Sequence, residues 1–535
     1  MADKVFIYDT TLRDGAQAVE VNFSTEDKIR VAKKLDELGI DYIEGGWPSS
    51  NPTDENFFKE IKNYEFNYSK IAAFGSTHHP KSSPENDKAF KRVIQMSPGV
   101  VTLVGKTWDI HVKEALKTDL NHNLEIIYDS IRYAKKKVKE VFFDAEHFFD
   151  GFKENKEYAL SCIKMAWEAG ADCIVLCDTN GGCLTWEIKE IIEEVKKQFP
   201  DYKLGIHVHN DAELAVANTL MAVQLGVRHV QGTINGYGER CGNANLCSII
   251  PNIELKMGLK CLPQGKLKDL TGVSRFVAET ANLTPFKRQP YVGESAFAHK
   301  GGIHVSAILF NPRTYEHISP ELVGNSNKVI LSDLAGKSNI VFKAKNLGLN
   351  LKKDDPVVLE LIQKIKELES IGYEFSVAEA SFELLLYKTL GKLKKYYELI
   401  GFRVLDAVQH EIPEPITEAT VMIKVGGQIS HTAATGKGPV NALDNALRKS
   451  LEKFYPNLTN MKLIDFKVRV LAPKDPEFAG TASVVRVLIE SADSKDRWIT
   501  AGVSYNIIEA SWKALEEAVI YKLFKDEREQ LNGAR

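Results

Sequence analysis

The first 260 residues alternate between two hydrophobic periods. Short runs rich in β-branched and aromatic residues predict strands, and the longer stretches between them, with apolar residues at i, i+3 and i+4 spacing, predict amphipathic helices. The predicted strands begin at residues 5, 41, 70, 100, 140, 172, 204 and 229 and read VFIY, DYIEGG, KIAAFG, VVTLVG, EVFFDA, DCIVLC, LGIHVH and HVQGTI.

Eight such βα units within roughly 250 residues favour an α/β fold of the (β/α)₈ TIM-barrel type. The alternative is a doubly wound open sheet, which usually has fewer strands and carries a glycine-rich phosphate fingerprint after its first strand. No such fingerprint follows Tyr8. We therefore expect a catalytic barrel over residues 1–265.

The pattern changes twice after the barrel. Helical periodicity predominates between 266 and 400, for example in 355–375 and 379–399, and predicts a helical connector or lid. From 401 to 535, three strand-like runs followed by a helix occur twice. The repeats cover residues 402–454 and 463–524. This duplicated βββα unit predicts a C-terminal regulatory domain used for ligand sensing or self-association.

Composition excludes several classes of function. The 535 residues carry 69 Lys and Arg against 72 Asp and Glu, a net charge of -3, so no strong field attracts nucleic acid. No run approaches the roughly 18 apolar residues of a membrane span, and the N-terminus lacks a secretory pattern. The seven cysteines are an odd number in a large chain and contain no CxxC pair, which disfavours a disulfide framework and a thiolate zinc site. We expect a cytoplasmic protein with reduced thiols and neither nucleic-acid nor membrane partners.

Candidate metal ligands follow two predicted strands. The segment DTTLRDG after strand one supplies Arg13 and Asp14, and HVH at the end of strand seven supplies His207 and His209. Strand geometry places the two imidazoles on one side, at the strand end where barrels build active sites. A lone HxH pair more often packs than binds metal, but Asp14 and the strand-end position favour a site for a divalent cation with positions open for substrate.

The segment GYGERCGN after strand eight adds Asn243, whose amide oxygen is a candidate fourth ligand. Its glycines do not fit a dinucleotide-binding fingerprint, because Cys241 stands where that fingerprint needs glycine. The glycines are also explained by a tight turn alone.

Two further strand ends, FFDAEH and CDTNGG, supply Glu146 and Thr179. Glu146 lies close in sequence to Phe142, Phe143 and Phe148, and an apolar environment would raise the pKa of its carboxyl and suit it to proton transfer. The alternative is a helix cap or a surface acid.

The segments DTTLRDGAQ, HVHN and NGYGERCGNANL resemble the DRE-TIM metallolyase superfamily, and specifically its acyl-CoA-condensing branch. The duplicated C-terminal unit resembles the regulatory domain of 2-isopropylmalate and citramalate synthases. Segments such as EGGWPSSNPTDENFF and FFDAEHFFDGF are most similar to citramalate synthases. The resemblance covers nearly the whole chain and implies condensation of acetyl-CoA with pyruvate to (R)-citramalate and CoA, in isoleucine biosynthesis.

The resemblance also implies roles for single residues. Arg13 would polarise the keto oxygen, and Thr179 would contact the substrate carboxylate. Glu146 stands where the family has an acidic catalytic residue. The implied metal ligands are Asp14, His207, His209 and Asn243, and the implied cation is Mg²⁺, Mn²⁺ or Zn²⁺.

A second implied group of residues comes from the connector. His304, in HKGGIHV, aligns with a histidine that reaches the barrel from the partner subunit, and Tyr315 is a candidate companion, so a homodimer is expected. The base that removes the acetyl-CoA methyl proton stays open between Glu146 and a neutral His304.

The C-terminal domain is expected to bind an end-product amino acid, isoleucine for a citramalate synthase or leucine for an isopropylmalate synthase. The turns ATGKGPVNA and TAGVSYNII each lead into a helix whose free N–H groups suit a carboxylate. The alternative is a pure dimerisation platform.

Rival functions remain open from sequence alone. The nearest is 2-isopropylmalate synthase, which uses 2-oxoisovalerate, because pocket volume is not readable from a sequence. A homocitrate synthase would need a basic group for the distal carboxylate of its acceptor, and none is evident. An aldolase or lyase on the same metal barrel, or a catalytically inactive amino-acid sensor, fits less well.

Overall fold

The computed structural model describes residues 4–299, 302–329, 336–407, 416–471 and 483–533. The chain forms two compact units. The first consists of Met1–Phe297 with Glu316–Asn327, and the second of Ala298–Tyr315 with Lys328–Arg535. The three-part division of the chain at 265 and 400 stays a prediction.

Eight parallel strands close into a barrel, because β1 pairs with β8 as well as with β2. Each predicted strand is present, and the closure excludes the open sheet. The strands are β1 Phe6–Asp9, β2 Tyr42–Gly46, β3 Lys70–Ser76, β4 Val100–Lys106, β5 Glu140–Glu146, β6 Cys173–Asp178, β7 Leu204–Val208 and β8 His229–Gly232.

Helices follow the strands and surround the barrel. In the first of them, the Ser24 hydroxyl accepts from the Asp27 N–H while the Asp27 carboxylate accepts from the Ser24 N–H, and Gly39 ends the helix at φ 96°. The helices are α1 Thr25–Leu38, α2 Pro52–Glu60, α3 Lys88–Met96, α4 Leu120–Lys135, α5 Phe148–Glu154, α6 Lys156–Glu168, α7 Thr185–Gln198, α8 Ala215–Gln224, α9 Leu246–Pro251 and α10 Leu270–Thr280.

Aromatic rings fill the barrel interior. Tyr8, Tyr42, Phe142 and His229 pack with ring centroids 4.9–6.1 Å apart. Burial lowers the pKa of His229 to about 3, so this ring is neutral and belongs to the core. Because these rings fill the interior, a ligand can bind only outside this layer, and the cavity lies at the carboxyl ends of the strands.

The second unit begins with short elements and helices. Two-residue strands β9 Ala298–His299 and β10 Lys328–Val329 pair in parallel. The helices are α11 Gly302–Phe310, α12 Lys337–Asn346, α13 Pro356–Ser370 and α14 Glu379–Thr389. The expected helix over 379–399 is therefore too long: Gly391 adopts φ 65°, and strand β11 has begun by Glu398.

Two copies of a βββα unit complete the chain, as the duplication predicts. Each has a three-stranded antiparallel sheet, and the first two strands of each shift register at matching places, near Leu399 and Leu463. The elements are β11 Glu398–Ala407, β12 Ile416–Val425, β13 Gln428–Gly436 and α15 Pro439–Leu451, then β14 Lys462–Val470, β15 Val485–Ala492, β16 Arg497–Ser504 and α16 Ile507–Gly533. Parts of the predicted runs 402–409 and 481–491 lie outside the described residues.

Two other sequence expectations can be compared with the structure. All seven cysteines are free thiols, and six of them are buried, Cys241 being the exposed one. Among the described helices none combines the length and apolar character needed to cross a bilayer.

In both repeats a glycine lets the last strand approach its helix. A Cβ atom on Gly436 would lie 2.4 Å from the Ala442 nitrogen, and one on Gly502 would lie 2.0 Å from the Ala510 carbonyl oxygen. The glycines in the two predicted carboxylate-binding turns therefore have a packing role of their own.

We expect Gly502→Ala to destabilise the C-terminal domain by about 1–3 kcal/mol, because the added methyl overlaps a backbone oxygen. Gly401→Ala is the matched control, since a Cβ there meets open space, and its effect should stay within about 0.5 kcal/mol. Urea unfolding followed by circular dichroism measures both. Equal midpoints for the two variants would contradict the packing role of Gly502.

Candidate metal centre and active site

A cavity of about 590 Å³ opens at the carboxyl ends of the barrel strands. Most predicted site residues meet there, although their sequence positions span almost the whole barrel. Those lining it are Arg13, Asp14, Glu146, Thr179, His207 and His209. Other lining residues include Trp47, Phe74, His78, Val104, Lys106, Asp144, Cys177 and Arg240.

Asp14, His207 and His209 form one buried cluster. Each offers a ligand atom, and these atoms lie within 4.8 Å of one another. The Asp14 Oδ2 atom is 3.3 Å from His207 Nε2 and 3.9 Å from His209 Nε2. Strands β7 and β8 are neighbours and β8 pairs with β1, so barrel closure brings these residues together.

The protonation states of the cluster suit a cation. Burial lowers the pKa of His207, and burial together with the neighbouring His207 lowers the pKa of His209 to about 4. Burial acts to raise the pKa of Asp14, but Arg13 and the two histidines outweigh it and bring that pKa to about 2. Two neutral imidazoles and an ionised carboxylate are the forms that ligate metals.

Gln231 fixes the orientation of His207. The Gln231 Nε2 group donates to Asp144 Oδ1 at 3.0 Å, so its Oε1 faces His207 Nδ1 at 2.9 Å and accepts from it. The proton of His207 therefore lies on Nδ1, and the Nε2 lone pair faces Asp14. Sequence reasoning missed Gln231. The available signal was a polar side chain within the otherwise apolar strand HVQGTI.

Asn243 reaches the same cluster, through a backbone bridge to His209. Its Nδ2 donates to Asp14 Oδ2 at 3.0 Å, while its buried Oδ1 has no hydrogen-bond partner among the described residues. An unsatisfied buried acceptor is costly. A rotation of 180° about the terminal bond exchanges the two atoms and would turn the oxygen toward a cation.

Arg13 is held by partners on three sides. Its Nε donates to Glu44 Oε2 at 2.6 Å, its Nη1 lies 3.4 Å from Asp14 Oδ2, and its guanidinium stacks 3.9 Å from the centre of the Phe74 ring. The fully buried Glu44 also accepts from the Tyr8 hydroxyl at 2.8 Å. Glu44 was not predicted, although an acid in the strand YIEGG was a signal for it.

Glu146 has different surroundings from those expected. Its carboxylate pairs with the Lys106 ammonium. Phe142 lies in the interior aromatic layer, whereas Phe143 and Phe148 pack in the core between barrel and helices. Strand alternation turns Phe143 to the face opposite Glu146, and Phe142, on the same face, lies four residues earlier in the strand within the interior layer. The neighbour of the Glu146 carboxylate is the Lys106 ammonium, so the predicted apolar environment is wrong. Lys106 was missed, and its position at the end of VVTLVGK was the signal.

Thr179 lies where loops from four strands are tied together. Its hydroxyl oxygen accepts from the His147 N–H at 2.9 Å, and its carbonyl accepts from Arg240 at 2.8 Å. The Arg240 guanidinium also makes two hydrogen bonds with Asp211. These contacts fix Thr179 at the cavity wall, and its role toward substrate stays a prediction.

His304 and Tyr315 belong to the second unit. Their rings stack with centroids 4.2 Å apart and an interplanar angle of 25°. Both side chains are exposed. Their joint role, and their entry into the barrel of a second subunit, stay predictions.

Family models match successive parts of the chain. The HMGL-like model matches residues 4–277, the homocitrate synthase post-HMGL domain-like model matches 291–372, and the LeuA allosteric (dimerisation) domain matches 376–523.

Whole-chain relatives agree with these models. The chain is 59% identical to an (R)-citramalate synthase of Geobacter sulfurreducens, over 99% of both chains. It is 56% identical to an (R)-citramalate synthase of Aquifex aeolicus, again over 99% of both. A 2-isopropylmalate synthase of Methanocaldococcus jannaschii is 31% identical, over 98% of this chain and 96% of that one.

We expect His207→Ala to weaken the binding of Mn²⁺ at least tenfold, because it removes one of the clustered ligand atoms. His122→Ala is the matched control, since that histidine pairs with Glu125 on the barrel surface. Isothermal titration calorimetry measures both affinities. Equal affinity in the His207→Ala variant and the native protein would refute the ligand set.

Proposed function

The chain belongs to the HMGL-like family, and within it to the (R)-citramalate synthases, and from this membership we propose that it condenses acetyl-CoA with pyruvate. The products are (R)-citramalate and CoA, which makes the protein an acyltransferase. The observation that carries the proposal is the buried Asp14–His207–His209 cluster beside Arg13, in a chain 59% identical to such an enzyme.

A divalent cation fits the cluster. The residues that would hold it are Asp14, His207, His209 and Asn243, whose buried Oδ1 lacks another partner among the described residues. Two nitrogens and two oxygens accept Mg²⁺, Mn²⁺ or Zn²⁺. When bound, such a cation acts as a Lewis acid toward the carboxylate and keto oxygens of a 2-oxo acid.

The protein's own groups orient the acceptor and stabilise charge. Arg13 is preorganised by Glu44 and Phe74, so it stabilises the negative charge that develops on the keto oxygen without rearranging. Thr179 is held by His147 and Arg240, and in this proposal it donates its hydroxyl proton to the substrate carboxylate.

Removal of the methyl proton of acetyl-CoA requires a base at the cavity. Glu146 lines the cavity of the barrel unit, whereas His304 belongs to the second unit and is expected to reach a barrel from the partner subunit. Its place in the cavity lining therefore favours Glu146 as the base, with His304 as the alternative.

Sequence similarity to known relatives favours pyruvate over 2-oxoisovalerate as the acceptor. The (R)-citramalate synthases share 59% and 56% of positions with the chain, against 31% for the 2-isopropylmalate synthase. Two methyl groups on the acceptor change binding by only about 1–3 kcal/mol each, so a small difference in the pocket decides between them. A lyase lacking the LeuA domain, or an inactive sensor, would not need this combination of site and domain.

We expect the purified protein with Mg²⁺ or Mn²⁺ to release free CoA from acetyl-CoA at least tenfold faster with pyruvate than with 2-oxoisovalerate or 2-oxoglutarate. A thiol reagent follows the release, and a chelator should abolish it. A preference for 2-oxoisovalerate would overturn the acceptor, and no release with any acceptor would overturn the synthase activity.

We expect Glu146→Gln to lower turnover by about 10² or more without changing affinity for Mn²⁺, because the amide cannot accept the methyl proton. Glu140→Gln is the matched control: it lies at the other end of β5 and also pairs with a lysine, Lys70. Native turnover in Glu146→Gln would assign the base elsewhere, with His304→Ala the next variant.

The C-terminal domain is proposed to bind isoleucine as a feedback inhibitor and to join two chains in a homodimer. Its match to the LeuA allosteric (dimerisation) domain supports both roles. In the second repeat the Asn506 side chain already accepts from Ile508 and Glu509 at the start of α16, whereas the N-cap of α15 has no such side-chain bond. The turn before α15 is thus the better candidate for the amino-acid carboxylate.

We expect millimolar isoleucine to inhibit CoA release and leucine to inhibit it far less. Sedimentation equilibrium should give the mass of two chains. Inhibition by leucine alone would identify leucine as the effector in place of isoleucine. Full activity at saturating isoleucine and leucine would contradict the regulatory role and leave dimerisation as the proposed role of the domain.

A further inference from the structure

Lys106 is an ionisable side chain that lines the cavity beside Glu146. It ends β4 and lies directly opposite Glu146 in the β4–β5 register, so both side chains enter the cavity from adjacent strands and form an ion pair. The Lys106 carbonyl accepts from the buried Asn123 side chain at 2.9 Å, which fixes the strand end. A cation beside the proposed base therefore occupies a defined place.

The two arginines among the described lining residues are already paired with acidic side chains. Arg13 is committed to Glu44 and Asp14, beside the proposed acceptor site. Arg240 is committed to Asp211 and the Thr179 carbonyl. In the described part of the chain, the Lys106 ammonium has Glu146 as its ion-pair partner. When Glu146 takes up a proton, the negative charge of this ion pair is lost. The Lys106 ammonium is then available to another negatively charged group.

The chemistry of acetyl-CoA calls for such a pair. Loss of a methyl proton places negative charge on the thioester oxygen, which is attached to the adjacent carbon. A carboxylate that takes the proton and a cation that meets the charge must therefore lie side by side. An ion pair on neighbouring strands has this spacing and the two opposite charges.

We propose that Lys106 is a catalytic residue that donates a hydrogen bond to the thioester oxygen of acetyl-CoA while Glu146 removes the methyl proton. This rests on the proposed synthase function. The C–H bond breaks, its proton goes to Glu146, and its electron pair forms the enolate C=C bond as the C=O π pair moves onto oxygen. The Lys106 ammonium stays protonated. When water later adds to the thioester carbon, the same oxygen is charged again and meets the same ammonium.

The test is deuterium exchange into the acetyl-CoA methyl group, followed by mass spectrometry in D₂O with oxamate, a pyruvate-shaped amide that cannot accept the enolate. The full-length protein is compared with Lys106→Met and Lys106→Arg. Lys70→Met is the control, because it removes a Lys–Glu pair at the opposite end of the barrel. We expect Lys106→Met to lose exchange and turnover by about 10² or more, Lys106→Arg to recover part of both, and the control to match the native protein.

Binding of two CoA analogues distinguishes direct contact from a structural role. Carboxymethyl-CoA carries negative charge near the thioester oxygen position, whereas acetonyl-CoA is neutral. Lys106→Met should weaken the first at least tenfold and the second less than threefold. Equal weakening of both, or native exchange in Lys106→Met, would overturn the role of Lys106. Failure of the synthase function is recognised separately, because the native protein would then release no CoA with pyruvate.

Discussion

Closure of the barrel between β1 and β8 is the constraint on which the site depends. Asp14 follows β1 and Asn243 follows β8, 229 positions later, yet their side chains are 3.0 Å apart. His207 and His209 lie at the end of β7, the strand next to β8. The packed aromatic rings around Tyr8 fill the barrel interior beneath this end. The polar groups of the site therefore lie above a rigid layer, in a cavity that opens to solvent.

Glu44, Arg13 and Asp14 form a buried chain of paired charges at this end of the barrel. Glu44, fully buried, receives hydrogen bonds from Tyr8 and Arg13, and Arg13 in turn approaches Asp14. Removing one partner from such a chain leaves an uncompensated buried charge, which is strongly destabilising. The chain therefore serves two purposes, since it holds Arg13 toward the proposed acceptor and keeps Asp14 ionised toward the proposed cation.

Much of the fold and part of the site follow from sequence patterns. Strand periodicity gave all eight barrel strands and the repeated βββα unit, and the spacing of His207 and His209 gave their common face. Gln231, Glu44 and Lys106 stood out in sequence only as polar residues in or at the end of apolar strands, and their roles could not be predicted because these depend on which strands pair and in which register. The environment of Glu146 was misjudged for the same reason: neighbours in sequence alternate between barrel interior and outer core, and its partner comes from the adjacent strand.

A crystal structure of the full-length protein with Mn²⁺, using anomalous scattering to locate the metal, tests whether barrel closure creates a cation site. We expect one strong peak per chain, bonded to Asp14, His207 Nε2 and His209 Nε2, with the Asn243 amide oxygen turned toward it and positions left open for substrate. A peak bound elsewhere, or a cluster that stays empty at saturating Mn²⁺, would contradict a cation site created by barrel closure.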